Sequence, residues 1–294
     1  MKHLIFLIVF VVALNGYGQQ INDGSLKDSI ILYNKAIEIN SKDLNAYNKR
    51  GKIKYDLKDY REAMQDFTKA IELEPKNSFL YGNRALCEYH LKDYKKAIDD
   101  YTTAIKYYNN AAYVGEYYEN RGAIKGLLGD YKGAIKDNTK AIWFNPRGFL
   151  AYINRGTYKC HLGKYRSSIR DYTTSIKKYP NYYLAYCDRG LVKNKTGNYK
   201  GAIPDFDKAI ELNSEFVLAY SGRGGSKLKL ENYNEAMSDL NKAIELNPID
   251  AEAYYLRGFC RFQLKDKENA CLDWQKAKEL NHKTVLEYLS KYCK

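Results

Sequence analysis

A short motif that recurs at nearly constant spacing constrains the fold of this chain more than any other feature. The motif is Asn-Arg-Gly or a close variant, and its successive copies lie 34, 37, 34, 34, 34 and 34 residues apart. Self-similarity with a period of 20 to 50 residues is typical of repeat architectures. We number the repeats 1 to 7 and the positions within each as columns 1 to 34. The repeats span residues 44–77, 78–111, 115–148, 149–182, 183–216, 217–250 and 251–284.

The columns predict a pair of helices in each repeat. Column 4 is always Tyr, column 8 is Gly or Ala, and columns 20 and 27 are Ala or Ser. Columns 4 and 8 share one helical face, as do columns 17, 20, 24 and 27, and columns 15 and 16 interrupt the helix between them. Short loops make such helices antiparallel, and small residues let them approach closely. One hairpin cannot bury its apolar face alone, so we expect the hairpins to stack.

This frame resembles the tetratricopeptide repeat family, and the match covers residues 44–284. The resemblance implies an all-α fold, a right-handed solenoid of stacked antiparallel helix pairs. It also implies that the first helix of each pair lines a concave groove that binds a protein or peptide. Residues 19–43 are expected to form a lone second helix before repeat 1, and residues 285–294 a capping helix after repeat 7. Capped ends are what a soluble solenoid requires.

The N-terminus has the layout of a signal peptide over residues 1–18. A short basic start precedes the apolar run from Leu4 to Leu14, and small residues precede a cut after Gly18. Eleven apolar residues are too few to span a bilayer as a helix. We therefore expect an exported protein, periplasmic or secreted, with no membrane span in the mature chain; an uncleaved leader that acts as an anchor is the alternative.

Two charged columns predict a ladder of ion pairs. Column 7, usually apolar in the family, is Arg in all seven repeats, and column 23 is Asp in all seven. Antiparallel helices that touch at columns 8 and 20 bring columns 7 and 23 close together, within a repeat or between neighbours. The predicted pairs are Arg50–Asp66, Arg84–Asp100, Arg121–Asp137, Arg155–Asp171, Arg189–Asp205, Arg223–Asp239 and Arg257–Asp273. The alternative, that the arginines bind an acidic ligand, is weakened because the aspartates already neutralise them.

Two groups of side chains are candidates for a ligand in the groove. Column 6 is Asn83, Asn120 and Asn154 in repeats 2 to 4, and an amide ladder can hold an extended peptide backbone. Near the C-terminus Tyr255, Phe259 and Phe262 form an apolar stretch of the same surface. Ordinary surface asparagines, and aromatic residues that pack under the final helix, are the alternatives.

The cysteines and histidines indicate no catalytic or metal site. There are six Cys residues without a Cys-x-x-Cys motif, and a disulfide between Cys260 and Cys271 is one candidate, for which Cys293 competes. His90 and His161 are separated by a whole repeat, too far apart to share a metal ion. We expect no cofactor.

The sequence therefore predicts a non-catalytic exported scaffold for a protein or peptide partner. An accessory subunit of an envelope enzyme or secretion assembly, and a structural spacer with no groove ligand, remain alternatives. The formal net charge of +13 is spread along the chain, which favours a solvated surface over nucleic-acid binding.

Overall fold

The computed structural model describes residues 23–108 and 111–293, and in these ranges the chain is all-α. The predicted fold class is confirmed. The helices are α1 (Asp23–Ile39), α2 (Leu44–Asp56), α3 (Tyr60–Leu73), α4 (Ser78–His90), α5 (Tyr94–Lys106), α6 (Ala111–Leu127), α7 (Tyr131–Phe144), α8 (Leu150–His161), α9 (Tyr165–Lys178), α10 (Tyr183–Lys195), α11 (Tyr199–Leu212), α12 (Val217–Lys229), α13 (Tyr233–Leu246), α14 (Ala251–Gln263), α15 (Lys267–Glu279) and α16 (Val285–Tyr292). The predicted leader over residues 1–18 lies outside the described residues, as do the last residues of repeat 2, Asn109 and Asn110.

The helices fall into two compact units. The N-terminal unit holds α1 to α8, and the C-terminal unit holds α9 to α16; the chain passes from one to the other at residues 162 and 163. Within each unit every helix packs against the next helix along the chain. None of the described helices is both long enough and apolar enough to cross a bilayer.

The turn inside each hairpin uses columns 15 and 16 in two distinct roles. Column 15 adopts a positive φ, as in Gly197 at 79° and Glu231 at 64°, which ends the first helix with a left-handed residue. Column 16 then caps the second helix, as where the Asp130 carboxylate accepts a hydrogen bond from the backbone N–H of Gly133. Since only glycine adopts a positive φ without strain, the non-glycine residues at column 15 carry a conformational cost.

Small residues at the helix contacts explain how the hairpins close. The Ala and Ser residues of columns 20 and 27 are buried, at 0–2% exposure. At column 8, a Cβ added to Gly51 would lie 2.9 Å from Cε1 of Phe67, and one added to Gly258 would lie 2.5 Å from Nε1 of Trp274. The rings of column 24 therefore occupy the space beside the glycine, and a larger column 8 residue would push the two helices apart.

Candidate interaction surface on the first helices

The arginine of column 7 donates two parallel hydrogen bonds to the aspartate of column 23 in its own repeat. Nε and Nη2 of the arginine donate to the two carboxylate oxygens over 2.5–3.0 Å in repeats 1, 2, 3, 5, 6 and 7. Of the two arrangements left open by the sequence, these pairs take the one inside a repeat. The remaining predicted pair, Arg155 with Asp171 in repeat 4, stays a prediction.

The same arginine also contacts its own tyrosine and the preceding repeat. Its guanidinium lies over the column 4 ring, 5.8 Å from the ring centroid for Arg189 and Tyr186. Its third donor, Nη1, reaches column 25 of the preceding repeat, for example the Thr173 hydroxyl at 3.0 Å. The guanidinium thus already contacts an aspartate, a tyrosine ring and a side chain of the preceding repeat. These contacts remove it as a binding group for an acidic ligand.

A second cation at column 11 was missed by sequence reasoning. Oδ2 of the aspartate, which accepts from the arginine Nε, also lies 2.7–3.1 Å from a Lys or Arg side chain one turn further along the first helix. The cations are Lys54, Lys125, Lys193, Lys227 and Arg261. Column 11 lies four residues after column 7, so the helical period alone could have indicated the contact.

Repeat 2 breaks this pattern, because Glu88 occupies column 11. Glu88 is 4% exposed, and its Oε2 is buried with no hydrogen-bond partner among the described residues. Burial, reinforced by the charge of Asp100, raises the pKa of Glu88 to about 8. At pH 7 column 11 of repeat 2 therefore carries an uncharged carboxyl group, whereas column 11 of the other described repeats carries a cation.

The asparagines of column 6 do not form an exposed ladder, which corrects the peptide-binding role predicted for them. Asn120 and Asn154 are 3% and 1% exposed, and Asn83 is half-buried. Nδ2 of Asn154 lies 3.5 Å from Oε1 of Glu119 on the preceding first helix. Nδ2 of Asn83 likewise lies 3.5 Å from Oδ1 of Asn48 in repeat 1. Asn83 and Asn154 therefore contact the preceding first helix rather than standing free in the groove.

The aromatic residues predicted near the C-terminus are covered by the final helix. Tyr255, Phe259 and Phe262 pack with Trp274 and with residues of α16 in one cluster. The Phe259 ring lies 4.6 Å from the ring of Tyr288 on α16, centroid to centroid. The alternative of packing under the capping helix is therefore what the structure shows, and a partner contact at these half-buried rings stays a prediction.

The disulfide differs from the one predicted. Cys271 pairs with Cys293 at a Cα–Cα distance of 5.6 Å, and Cys260 is a buried free thiol. Cys260 packs with Ala236 and Leu240 of repeat 6. The bridge instead ties the C-terminal segment that follows α16 to α15.

An aromatic platform on the first two repeats remains accessible on this surface. It consists of Tyr55, Tyr60, Tyr89 and His90, which we call the His90 platform. The Tyr55 hydroxyl lies 3.0 Å from Nε2 of His90, and the Tyr60 ring stacks on the imidazole with centroids 4.4 Å apart. His90 is exposed and the three tyrosines are half-buried. Burial lowers the pKa of His90, so the imidazole is neutral at pH 7.

The His90 platform offers flat apolar rings with polar edges. Such a surface suits proline and aliphatic side chains of an extended peptide, with hydroxyl and imidazole groups left to hydrogen-bond its backbone. Column 12 supplies Tyr55 and Tyr89, and column 13 supplies His90, so all three lie on first helices, whereas Tyr60 begins the second helix α3. Among the described residues no three His, Cys, Asp or Glu side chains are grouped as metal ligands.

Family models identify repeats in several parts of the chain. A tetratricopeptide repeat model matches residues 44–77 and 183–216, and further models of the same type match residues 67–99, 226–265 and 252–281. Comparison with curated protein sequences gives no significant match.

Solved structures of tetratricopeptide repeat proteins share this fold. One from Parabacteroides merdae has a TM-score of 0.63 at 22% identity, over 85% of this chain and 99% of the other. The C-terminal part of a repeat protein from Cytophaga hutchinsonii has a TM-score of 0.66 at 20% identity, over 81% and 97%. YrrB, described as having an unusual peptide-binding site, has a TM-score of 0.55 at 21% identity, over 64% and 95%.

These matches and the helix pairs define the class of the molecule: it is an all-α helical-repeat protein. The segments that the family models match are tetratricopeptide repeats, a fold that suggests a scaffold for protein–protein interaction.

Proposed function

We propose that this chain is an exported, non-catalytic scaffold that binds a protein or peptide partner on the surface of its first helices. The partner segment lies across the His90 platform in the N-terminal unit. The observation that carries the proposal is this platform, because its rings are held in place by stacking and hydrogen bonding yet remain accessible.

The arginine ladder supports the proposal by making the surface rigid. In repeats 1, 2, 3, 5, 6 and 7 the arginine holds the two helices of its hairpin together, and Arg189 also links its hairpin to the preceding helix. A surface that is already ordered loses less conformational entropy when a partner binds. Export is supported by the apolar run and small residues of the leader, and it places the partner in the periplasm or outside the cell.

Affinity capture with paired variants tests the proposal. The bait is the purified protein, and the sample is the envelope and secreted fraction of the source cells. His90→Ala combined with Tyr89→Ala removes the platform, while Lys69→Ala combined with Glu72→Ala removes an exposed pair on α3 and serves as the matched control.

We expect a partner that the wild type and the control capture equally and the platform variant loses at least tenfold. Equal capture by both variants would place the binding site elsewhere. Absence of any partner above background would favour a structural spacer. Circular dichroism of each variant verifies that the helices are retained.

A further inference from the structure

The outward face of α7, in repeat 3, differs in charge from the same face of the second helices in repeats 1, 5, 6 and 7; in repeat 4 that face is also basic, with Arg166, Arg170 and Lys177. In repeats 1, 5, 6 and 7 the lysine of column 26 pairs with a glutamate three residues later. The pairs are Lys69–Glu72, Lys208–Glu211, Lys242–Glu245 and Lys276–Glu279. In repeat 3 the lysine is Lys140, and Trp143 stands where the glutamate would be.

Lysines extend along the whole of this face. Lys132, Lys136 and Lys140 are all exposed, and none has an acidic partner among the described residues. Their spacing of four residues, with Trp143 three residues further, places all four side chains in one line along the helix. The line is roughly 16 Å long, from a rise of about 1.5 Å per residue. The acidic side chain inside α7, Asp137, is buried and bound by Arg121 and Lys125.

Trp143 is 70% exposed, and its ring contacts two neighbouring side chains. The ring packs edge-on against Phe144 with centroids 4.6 Å apart, and Phe144 stacks on Tyr118 beneath it. Nζ of Lys140 lies 5.9 Å from the centroid of the Trp143 ring. An exposed tryptophan exposes a large apolar surface to water, so one beside unpaired lysines indicates a partner that is both anionic and partly apolar.

We propose that this face of α7 docks on an anionic lipid bilayer. The lysines contact lipid phosphates, and the Trp143 indole enters the interface between headgroups and acyl chains, where tryptophan is enriched in membrane proteins. A bilayer surface requires only that the basic and aromatic groups lie along one plane, as they do on this helix. Trp143 projects from the helix rather than lining a cleft, which suits a deformable layer better than a pocket of an acidic protein.

The docking face leaves the first-helix surface open. Columns 18, 22 and 26 point away from the small residues of columns 20 and 27, which pack inward. A molecule attached to a membrane through α7 keeps the first helices of the same unit, α2, α4 and α6, available to a partner. The inference does not depend on the proposed function, because it concerns a different face.

Intrinsic fluorescence tests the docking directly, since the chain has two tryptophans and the other, Trp274, is fully buried. The full chain is titrated with vesicles of phosphatidylcholine alone and with vesicles containing phosphatidylglycerol. We expect a blue shift of Trp143 emission only with the anionic vesicles, and its loss in about 0.5 M NaCl, where charges are screened beyond a few ångströms. An equal shift with both vesicle types, or no shift with either, would overturn the proposal.

A pair of triple variants locates the effect. Lys132→Gln, Lys136→Gln and Lys140→Gln together should weaken vesicle binding on the order of a hundredfold, from about fivefold per lysine. Lys69→Gln, Lys208→Gln and Lys242→Gln remove the same charge from paired positions and should change binding less than twofold. Both triple variants carry the same residues 1–18, so a difference in binding cannot come from that segment. Equal binding by the two variants refutes a role for α7.

Two further measurements complete the test. Vesicle co-sedimentation of Trp143→Phe gives a readout that needs no fluorescence, and we expect its binding to fall at least threefold. Titration with a poly-glutamate peptide examines the alternative partner. A shift with that peptide and none with anionic vesicles would assign the face to an acidic protein and overturn the membrane proposal.

Discussion

Arg189 holds Asp205 through two donors, Nε at 3.0 Å and Nη2 at 2.6 Å, and its third donor reaches back to the preceding repeat. Asp205 is 3% exposed, so the ion pair is largely removed from water. Removing the arginine leaves a buried carboxylate with Lys193 as its remaining cation. A buried pair that loses one member is strongly destabilised, whereas an exposed pair contributes little.

Arg189→Ala should therefore lower the free energy of unfolding by about 3 kcal/mol or more. The control is Lys208→Ala, which breaks an exposed pair in the same repeat and should cost less than about 1 kcal/mol. Urea denaturation followed by circular dichroism measures both. Equal small losses would show that the arginine column does not stabilise the stack.

The raised pKa of Glu88 predicts that the chain loses stability as the pH rises. Its pKa is about 8 in the folded chain against 4.5 ordinarily, so between these values the folded state binds more protons than the unfolded state. Stability then decreases as pH rises through this window, by up to about 1.4 kcal/mol per pH unit from one such group. Burial also raises the pKa of Glu119 and Asp188 to about 8, which adds to the same trend.

The contribution of Glu88 is isolated by Glu88→Gln. The stability advantage of this variant over the wild type should grow from pH 5 to pH 8 and level off above. An advantage that stays constant over that range would mean that Glu88 does not titrate as a buried group. Glu88→Lys restores the cation of column 11 beside Asp100 and should stabilise the chain by about 1 kcal/mol or more at pH 8.

The positive φ at column 15 gives a backbone prediction. Glu231→Gly should stabilise the chain by up to about 1 kcal/mol, because glycine accepts a φ of 64° without steric cost. Gly197→Ala at the same column of repeat 5, where φ is 79°, should destabilise it by a similar amount. Melting temperatures that move in the same direction for both substitutions would contradict this.

The disulfide predicts that the C-terminal helix is stabilised by oxidation. The bridge closes a loop between residues 22 apart, which corresponds to roughly 3 kcal/mol if the cross-link acts mainly on the unfolded state. Cys293→Ala should raise hydrogen exchange in α16 while leaving α14 protected. Peptide mapping of the oxidised protein should recover the link from Cys271 to Cys293 and a free thiol at Cys260; a link from Cys260 to Cys271 would contradict the structure.

The helix pairs and the Arg–Asp contacts could be predicted from sequence because each depends on spacing within one repeat. The 34-residue period fixed which columns share a helical face, and the glycine and alanine columns fixed where the helices touch. The proximity of the arginine and aspartate columns follows from that geometry, and the structure adds that Arg50 pairs with Asp66 inside its own repeat.

Contacts that depend on neighbouring elements could not be predicted in this way. Whether Asn154 faces the groove or the preceding repeat depends on the rotation between repeats, which periodicity within a repeat does not contain. The choice of Cys293 over Cys260 depends on where α16 docks against α15. The His90 platform needs Tyr60 of repeat 1 to stack on a residue of repeat 2, again a contact between repeats.

Hydrogen exchange of the protein bound to its captured partner tests most directly whether the first helices form the binding surface. Binding through the His90 platform predicts new protection in the C-terminal turns of α2 and α4 and at the start of α3 around Tyr60, with the exchange of α5 unchanged. Protection confined to second helices, or no change in α2 and α4, would contradict binding at this surface.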